Sequence, residues 1–197
     1  MSLLRRSLLR SLLLAVPALP VGISAARAKR RMGALSAPEV VEWHSLTCPF
    51  CAQFVLTIWP EVERRLVRPG HLAIRFEDFP LDMLALEGAA VMRALEGEAY
   101  VAALKRVYGA QHLWIRMPRH QALTEIARVA GIPAVEARRR AEDPALLREI
   151  AAERLRAEQE EGVTGTPAFR IGGQILVGVL PYEMFEAATE QAHGRPI

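Results

Sequence analysis

The chain has 197 residues, of which 51% are hydrophobic and 24% are charged. A chain of this length and composition can bury one good core, and we expect one domain. The formal net charge of +3 comes from the first 28 residues, which hold four arginines and no acid; without them the charge is −1. The charge therefore gives no reason to expect a nucleic-acid partner.

Residues 1–28 have the pattern of a cleaved export signal. A basic start precedes an apolar stretch, and Ala26-Arg27-Ala28 has the small–x–small form of a signal-peptidase site. The apolar stretch contains Pro17 and Pro20 and is shorter than the roughly 18–20 apolar residues that a membrane span needs. We therefore predict a signal peptide cleaved after about Ala28 and a mature protein in the oxidising periplasm.

The start of this signal bears on the export route. Leu4-Arg5-Arg6-Ser7-Leu8-Leu9-Arg10 resembles the twin-arginine export signal, although Leu4 stands where serine or threonine is usual. Lys29-Arg30-Arg31 adds positive charge near the cleavage site, which ordinary secretion tolerates poorly. The alternative is an ordinary signal that contains two adjacent arginines. We favour the twin-arginine route.

The segment that follows predicts a strand–helix–strand unit. Residues 29–38 mix charge, glycine and serine and are expected to form a flexible lead-in, and residues 40–44 have the composition of a strand. A helix should begin at Pro49, because apolar residues recur at helical spacing from Phe50 to Ile58. Pro60 should kink or divide it. Residues 72–79 alternate as a second strand, so the two strands should be parallel.

The only cysteines of the chain, Cys48 and Cys51, lie between the first strand and this helix. Unpaired N–H groups and the helix dipole favour an anion at a helix N-terminus, so the pKa of Cys48 should be low. Cys48 is therefore the candidate nucleophile, expected to be exposed, and Cys51 the shielded resolving thiol. A structural disulfide over so short a loop would stabilise weakly, and half a zinc site would need two more ligands. The five histidines are scattered, so we favour redox activity over both alternatives.

The rest of the chain is helical before it returns to strands. Residues 82–162 have a helical pattern almost throughout, and a stretch this long between halves of a small sheet predicts an inserted subdomain. Residues 166–171 and 174–177 predict a hairpin around Gly172-Gly173, and residues 182–193 predict a closing amphipathic helix. With no strand predicted before Val40, the sheet should have about four strands.

Three segments carry a resemblance to a known family. They are the run from Glu42 to Cys51, Asp78-Phe79-Pro80-Leu81-Asp82, and the run from Gly162 to Phe169. Together they resemble the DsbA-like branch of the thioredoxin fold over residues 39–197. The resemblance implies an α/β thioredoxin fold with a mixed sheet and a helical subdomain inserted at about residues 82–162.

The resemblance also implies roles for residues outside the cysteine pair. The proline that matches Pro167 is cis and packs against the disulfide, and Thr166 would offer backbone hydrogen bonds to a substrate strand. Glu42 matches a buried glutamate that could relay protons to the buried thiol, the alternative being a strand-edge acid that faces water.

The dipeptide between the cysteines departs from the family pattern. It is Pro49-Phe50 here, whereas the strongly oxidising members have proline and histidine, so this pair should be a weaker oxidant. His44 could substitute for the missing histidine. A histidine near a strand end is more often a structural residue with satisfied hydrogen bonds, and we favour that interpretation.

The function implied by the resemblance is that of an exported thiol–disulfide oxidoreductase. It would exchange the Cys48–Cys51 disulfide with reduced or unfolded exported proteins, as a dithiol oxidase, and a membrane redox partner would reset the pair. We expect a monomer with no metal and no cofactor beyond the disulfide. One alternative is a periplasmic thioredoxin-like reductant, and another is a copper carrier that uses the two cysteines as soft ligands.

Overall fold

The computed structural model describes residues 30–197. The predicted signal peptide, its cleavage after Ala28 and the twin-arginine segment lie outside the described residues.

A five-stranded mixed sheet forms the centre of this part of the chain. Its strands are β1 (Arg31–Met32), β2 (Glu39–His44), β3 (Ala73–Asp78), β4 (Ala168–Ile171) and β5 (Gln174–Val177). The spatial order is β1-β3-β2-β4-β5. Strands β2 and β3 are parallel, as predicted, and the other pairs are antiparallel. The thioredoxin fold inferred from the sequence is confirmed.

The central strand β2 is buried on both faces. Because side chains alternate along a strand, Val40, Glu42 and His44 face one layer, while Val41 and Trp43 face the other. Val40 belongs to the large core beneath the helix that follows the cysteines, and Val41 and Trp43 to a smaller core on the opposite face. Glu42 and His44 are thus placed inside the large core, which is an unusual position for two ionisable groups.

Nine α-helical segments cover the sheet within residues 30–197. They are α1 (Pro49–Gln53), α2 (Trp59–Val62), α3 (Met83–Met92), α4 (Gly97–Gly109), α5 (Gln111–Trp114), α6 (Arg119–Ala130), α7 (Ala134–Ala141), α8 (Pro144–Glu160) and α9 (Tyr182–His193). The segments from α3 to α8 form the predicted helical insertion, and α9 is the predicted closing helix. Each helix in this part of the chain is too short or too polar to cross a membrane.

The helical run after the cysteines is interrupted twice, by π-helical segments at Phe54–Ile58 and Glu63–Val67. The first of them ends where α2 begins, and the N–H of Trp59 bonds to the carbonyl of Phe54, five residues back. Pro60 therefore falls in the first turn of α2, where its missing N–H is tolerated. The chain stays helical without a break from Pro49 to Val67, so the predicted division into two helices does not occur, and the π-helical segment before Trp59 accommodates the proline.

The predicted hairpin is also present. Gly172 and Gly173 both have positive φ, 55° and 83°, and they form the two-residue turn between β4 and β5. The strand β4 begins at Ala168, two residues later than predicted, after Pro167, which has no N–H to give to a sheet ladder.

The prediction of four strands is wrong, because a fifth strand lies in the segment expected to be a lead-in. Arg31 and Met32 pair with Arg75 and Ile74 as strand β1 at the sheet edge. The segment is held by Arg30, which is only 3% exposed. Its guanidinium donates to the carbonyl of Phe76 at 3.0 Å. These partners lie more than forty residues away in sequence, so the local composition carried no sign of them.

Arg30 also belongs to a buried ion cluster at the end of β3. Its guanidinium lies 3.1 Å from Glu77 and 3.6 Å from Asp78. Arg93 lies 2.8 Å from Asp78 and also pairs with Glu153. All of these side chains are less than 10% exposed, so each charge depends on its partners rather than on water.

Replacement of Arg30 tests this arrangement. Arg30→Ala removes one of the two buried arginines that pair with Glu77 and with Asp78, and Arg75 and Arg93 remain. The free energy of unfolding should therefore fall by about 3 kcal/mol in urea denaturation, the lower end of the cost of breaking a buried pair. Arg64→Ala is the control, because that side chain is 70% exposed and its pair with Glu61 spans 3.8 Å. Equal stabilities of the two variants would show that Arg30 does not anchor the edge strand.

Candidate active site

The two cysteines are placed by a tight turn at the end of the central strand. After His44 the chain turns, and the N–H of Cys48 bonds to the carbonyl of Ser45 at 3.0 Å. Cys48 is the N-cap residue of α1, with extended backbone angles, and Pro49 is the first residue of the helix. Both cysteines are free thiols in the structure.

Cys48 is more covered than the sequence predicted. We expected an exposed thiol, but Cys48 is 4% exposed and Cys51 is fully buried. The Sγ atom of Cys48 lies 3.3 Å from the carbonyl oxygen of Thr166, so the loop before β4 covers it. Residues 118 positions apart make this contact, and for this reason a local pattern could not show it. The shielding predicted for Cys51 is confirmed.

The two thiols have opposite acidities. The pKa of Cys48 is lowered to about 5, first by the hydrogen bond from the Cys51 thiol and also by the backbone N–H groups of Phe50 and Cys51; burial opposes this shift. The pKa of Cys51 is raised well above its usual range by burial, by its hydrogen bond to Cys48 and by the charge of Glu42. At neutral pH Cys48 is therefore a thiolate and Cys51 a thiol, which makes Cys48 the nucleophile.

The loop opposite the cysteines has the predicted geometry. The Thr166–Pro167 peptide bond is cis, as expected. Pro167 is buried, and its carbonyl accepts the N–H of Gly178 at 2.8 Å, which ties the loop to the end of β5. The structure thus brings Cys48, Cys51, Thr166 and Pro167 together.

Exposed apolar side chains lie on the segments that are bonded to the cysteine turn and to the cis-proline loop. Phe50, between the cysteines, is 59% exposed, in keeping with a residue that meets partners and not the core. Four other exposed apolar residues lie on the neighbouring segments, and we refer to the five as the apolar rim: Phe50, Leu81, Met83, Leu113 and Val177. Of these five residues, the sequence pointed only to Phe50 as part of the site. The exposure of a single apolar residue has no local signature in a sequence, so the other four could not be predicted.

Polar contacts from the helical insertion hold the rim against the cysteine turn. Asp82, between two rim residues, accepts a hydrogen bond from Thr47 at 2.7 Å. Gln111 donates to the carbonyls of Leu46 at 2.7 Å and Cys48 at 3.2 Å. The insertion is therefore bonded to Leu46, Thr47 and Cys48 in the cysteine turn.

Beneath the cysteines lies a buried polar layer. Glu42 is fully buried, as predicted by one of the two alternatives, and its Oε2 lies 2.9 Å from Nδ1 of His44. Nε2 of His44 lies 3.0 Å from the hydroxyl of Tyr100. Burial raises the pKa of Glu42, although the neighbouring imidazole opposes that shift. His44 has both nitrogens engaged, which agrees with the structural interpretation of this residue.

A nucleophilic thiolate at a helix N-terminus, a buried second thiol and a facing cis-proline loop define a thioredoxin-type redox site. The family model described as "Thioredoxin" matches residues 26–191. The chain belongs to this thioredoxin family.

Solved structures show the same fold at low sequence identity. Alpha-DsbA1 of Wolbachia pipientis is 21% identical with a TM-score of 0.75, and the match covers 93% of this chain and 94% of that one. A protein-disulfide isomerase from Novosphingobium aromaticivorans is 22% identical with a TM-score of 0.67, covering 86% of this chain and 97% of that one. The DsbA-like branch expected from the sequence is therefore confirmed at the level of fold.

Curated relatives are similar over part of their length. A Rickettsia felis protein named "Putative protein-disulfide oxidoreductase" is 24% identical over 156 residues, which is 78% of this chain and 55% of that protein. A Rickettsia prowazekii protein of the same description is 25% identical over 137 residues, or 68% of this chain and 50% of that protein. The chain spans about half the length of these relatives.

The acidity of Cys48 gives a direct prediction. In the reduced protein, alkylation of Cys48 should rise with pH around a midpoint near 5, and Cys51 should stay unreactive. Cys51→Ser keeps a hydrogen-bond donor and should leave the midpoint low, whereas Cys51→Ala removes the donor and should raise it. A wild-type midpoint near the ordinary thiol value of about 8.5, or identical midpoints in the two variants, would contradict the assignment.

Proposed function

We propose that this protein is a thiol–disulfide oxidoreductase that gives the Cys48–Cys51 disulfide to cysteines of exported proteins. The observation that supports this most strongly is the opposite acidity of the two thiols within one helical turn. A low-pKa thiolate is both a good leaving group and the sulfur that a partner contacts first. The names of the curated relatives and structural neighbours support the same class of activity.

The proposed reaction proceeds through a mixed disulfide. A substrate thiolate attacks Sγ of Cys48; the Cys48–Cys51 bond breaks, and its electron pair leaves on Cys51, which takes up a proton. The second substrate thiolate then attacks the substrate sulfur of the mixed disulfide, and Cys48 leaves as a thiolate. The substrate has lost two electrons and gained a disulfide, and the protein holds a Cys48 thiolate and a Cys51 thiol.

Two features favour oxidation of substrates as the direction. Stabilisation of the Cys48 thiolate stabilises the reduced protein, and a couple whose reduced form is stabilised is an oxidant. The apolar rim around the sulfur suits unfolded chains, whose apolar side chains are exposed. Phe50 in place of histidine favours a milder oxidant than the strongest members of this family.

We further propose that the mature protein acts in the periplasm as a monomer, where a membrane redox partner reoxidises the pair. The basis is the signal-like residues 1–28 and the persistence of disulfides in an oxidising compartment. The structural neighbour from Wolbachia carries the DsbA name, which supports the same setting.

The proposed route makes export depend on the paired arginines. Full-length protein with Arg5→Lys and Arg6→Lys should accumulate in the cytoplasm as precursor, and wild-type protein should appear in the periplasmic fraction shortened to begin near Lys29. Arg10→Lys is the matched control and should be exported normally. Unchanged export of the doubly substituted chain would contradict the twin-arginine route.

The exchange itself can be followed with a reduced, unfolded substrate. Oxidised wild-type protein should pass its disulfide to the substrate and be recovered with both thiols free. Cys48→Ser should abolish the transfer, and Cys51→Ser, once activated as a mixed disulfide with glutathione, should still exchange at Cys48. The readout is mass spectrometry after acid quenching and alkylation. An oxidised wild-type protein that keeps its disulfide in the presence of the substrate would contradict the proposed function.

A further inference from the structure

Glu42 has two oxygens in different environments. Its Oε2 atom is bonded to His44, but its Oε1 atom is buried and has no hydrogen-bond partner among the described residues. The cross-strand neighbours of Glu42 are Phe76 on β3 and Phe169 on β4, so the adjacent strands place aromatic rings beside the carboxylate. A buried carboxylate in this setting depends on His44 for its charge.

The Nε2 side of the imidazole, opposite Glu42, lies beside two groups that do not change their charge near neutral pH. Asp78 lies 3.7 Å from Nε2 of His44, and despite burial its pKa is held at about 2 by Arg30 and Arg93. The pKa of Tyr100 is raised well above 10 by burial, so its hydroxyl keeps its proton. This hydroxyl can donate to the Nε2 of a neutral imidazole or accept from the Nε2–H of an imidazolium. Both protonation states of His44 are therefore satisfied without movement.

We propose that His44 is a positioning residue for the step in which Cys51 resolves a mixed disulfide. In the reduced protein the Cys51 thiol is bonded to Cys48, and the charge of Glu42 acts on it from nearby. By occupying Oε2, His44 holds Glu42 as a carboxylate and leaves Oε1 free to accept the Cys51 proton once Cys48 is joined to a partner sulfur. This inference rests on the proposed function, since it concerns the same cysteine pair, but it adds a residue that the catalytic motif does not contain.

The resolving step moves one proton and exchanges one disulfide bond. When Cys48 is joined to a partner sulfur, the Cys51 thiol gives its proton to Oε1 of Glu42. The Cys51 sulfur then attacks Sγ of Cys48, the new disulfide forms, and the partner leaves as a thiolate with the electron pair of the broken bond. The proton stays on the Glu42–His44 pair.

Titratable and charged groups on each neighbouring element affect the pKa values of Glu42 and His44. Cys48 and Cys51 lie at the start of α1, Asp78 is on β3, Tyr100 and Tyr108 are on α4, Arg30 precedes β1, and Arg93 follows α3. Burial would lower the pKa of His44, but Glu42 and Asp78 raise it, so the imidazolium is favoured in place. Without His44, nothing in its place would oppose burial and the charges of Cys48 and Asp78, so the pKa of Glu42 would rise further and the carboxylate that accepts the proton would form only at higher pH.

The test is the pH dependence of the resolving step with oxidised glutathione as the partner. Rapid acid quenching and mass spectrometry separate the attack of Cys48 on glutathione disulfide from the later loss of the Cys48–glutathione adduct. His44→Leu removes the imidazole, and His44→Asn keeps a donor for Glu42 without its charge. Both variants should slow loss of the adduct at pH 7 by about tenfold or more. This loss is smaller than the roughly hundredfold or greater acceleration that a positioned general base usually gives. The midpoint of that step should move to higher pH, and attack by Cys48 should keep its rate.

Two tyrosines on α4 supply a matched pair of controls. Tyr100→Phe removes the hydroxyl on His44 and should shift the midpoint in the same direction by a smaller amount. Tyr108→Phe removes an equally buried hydroxyl that bonds to the carbonyl of Ser45, and it should keep the wild-type midpoint. The contrast separates an effect through His44 from a general loosening of the core.

The inference is overturned if both histidine variants resolve the adduct with the wild-type pH midpoint, or if Tyr108→Phe shifts it as much as Tyr100→Phe. If His44→Leu fails to fold, His44→Asn decides. Wild-type protein that never forms the glutathione adduct would overturn the proposed function and this inference with it. Normal exchange with an unshifted midpoint overturns the inference alone.

Discussion

The hydrogen bond from the Cys51 thiol to the Cys48 sulfur is the interaction on which the chemistry of this protein depends. It is the largest cause of the low pKa of Cys48, and it also helps to keep the proton on Cys51. Backbone N–H groups at the start of α1 act in the same direction, while burial of the sulfur opposes them. One contact thus gives two chemically identical side chains opposite acidities.

The rest of the fold keeps this contact in place. The cysteine turn sits at the end of a strand buried on both faces, and it is covered by the loop that carries Thr166. Asp82 and Gln111, from the helical insertion, are bonded to the turn at Thr47 and at the carbonyls of Leu46 and Cys48. The insertion thereby fixes the turn, and the segments that make these bonds also carry exposed apolar side chains.

Sequence reasoning succeeded where the signal was local or carried by a motif. The cysteine pair, the Gly172-Gly173 hairpin and the proline before β4 are short patterns with direct structural meaning, and they identified the fold. It failed for the edge strand β1 and for the exposure of Cys48, since Arg30 and Thr166 act across long sequence separations. The burial of Glu42 was predictable only as one of two alternatives, because a single acid in an apolar strand can face either way. The partners of His44 come from the folded arrangement of three elements and could not be read from the chain.

We propose that stabilisation of the Cys48 thiolate makes the reduced form favourable, so that the protein is an oxidant of other thiols. The reduction potential of the Cys48–Cys51 couple, measured by equilibration in glutathione buffers at pH 7, tests this most directly. We predict a value well above that of thioredoxin, which is about −270 mV. A potential as low as that of thioredoxin would contradict the oxidant role and favour a reductant supplied with electrons from the membrane.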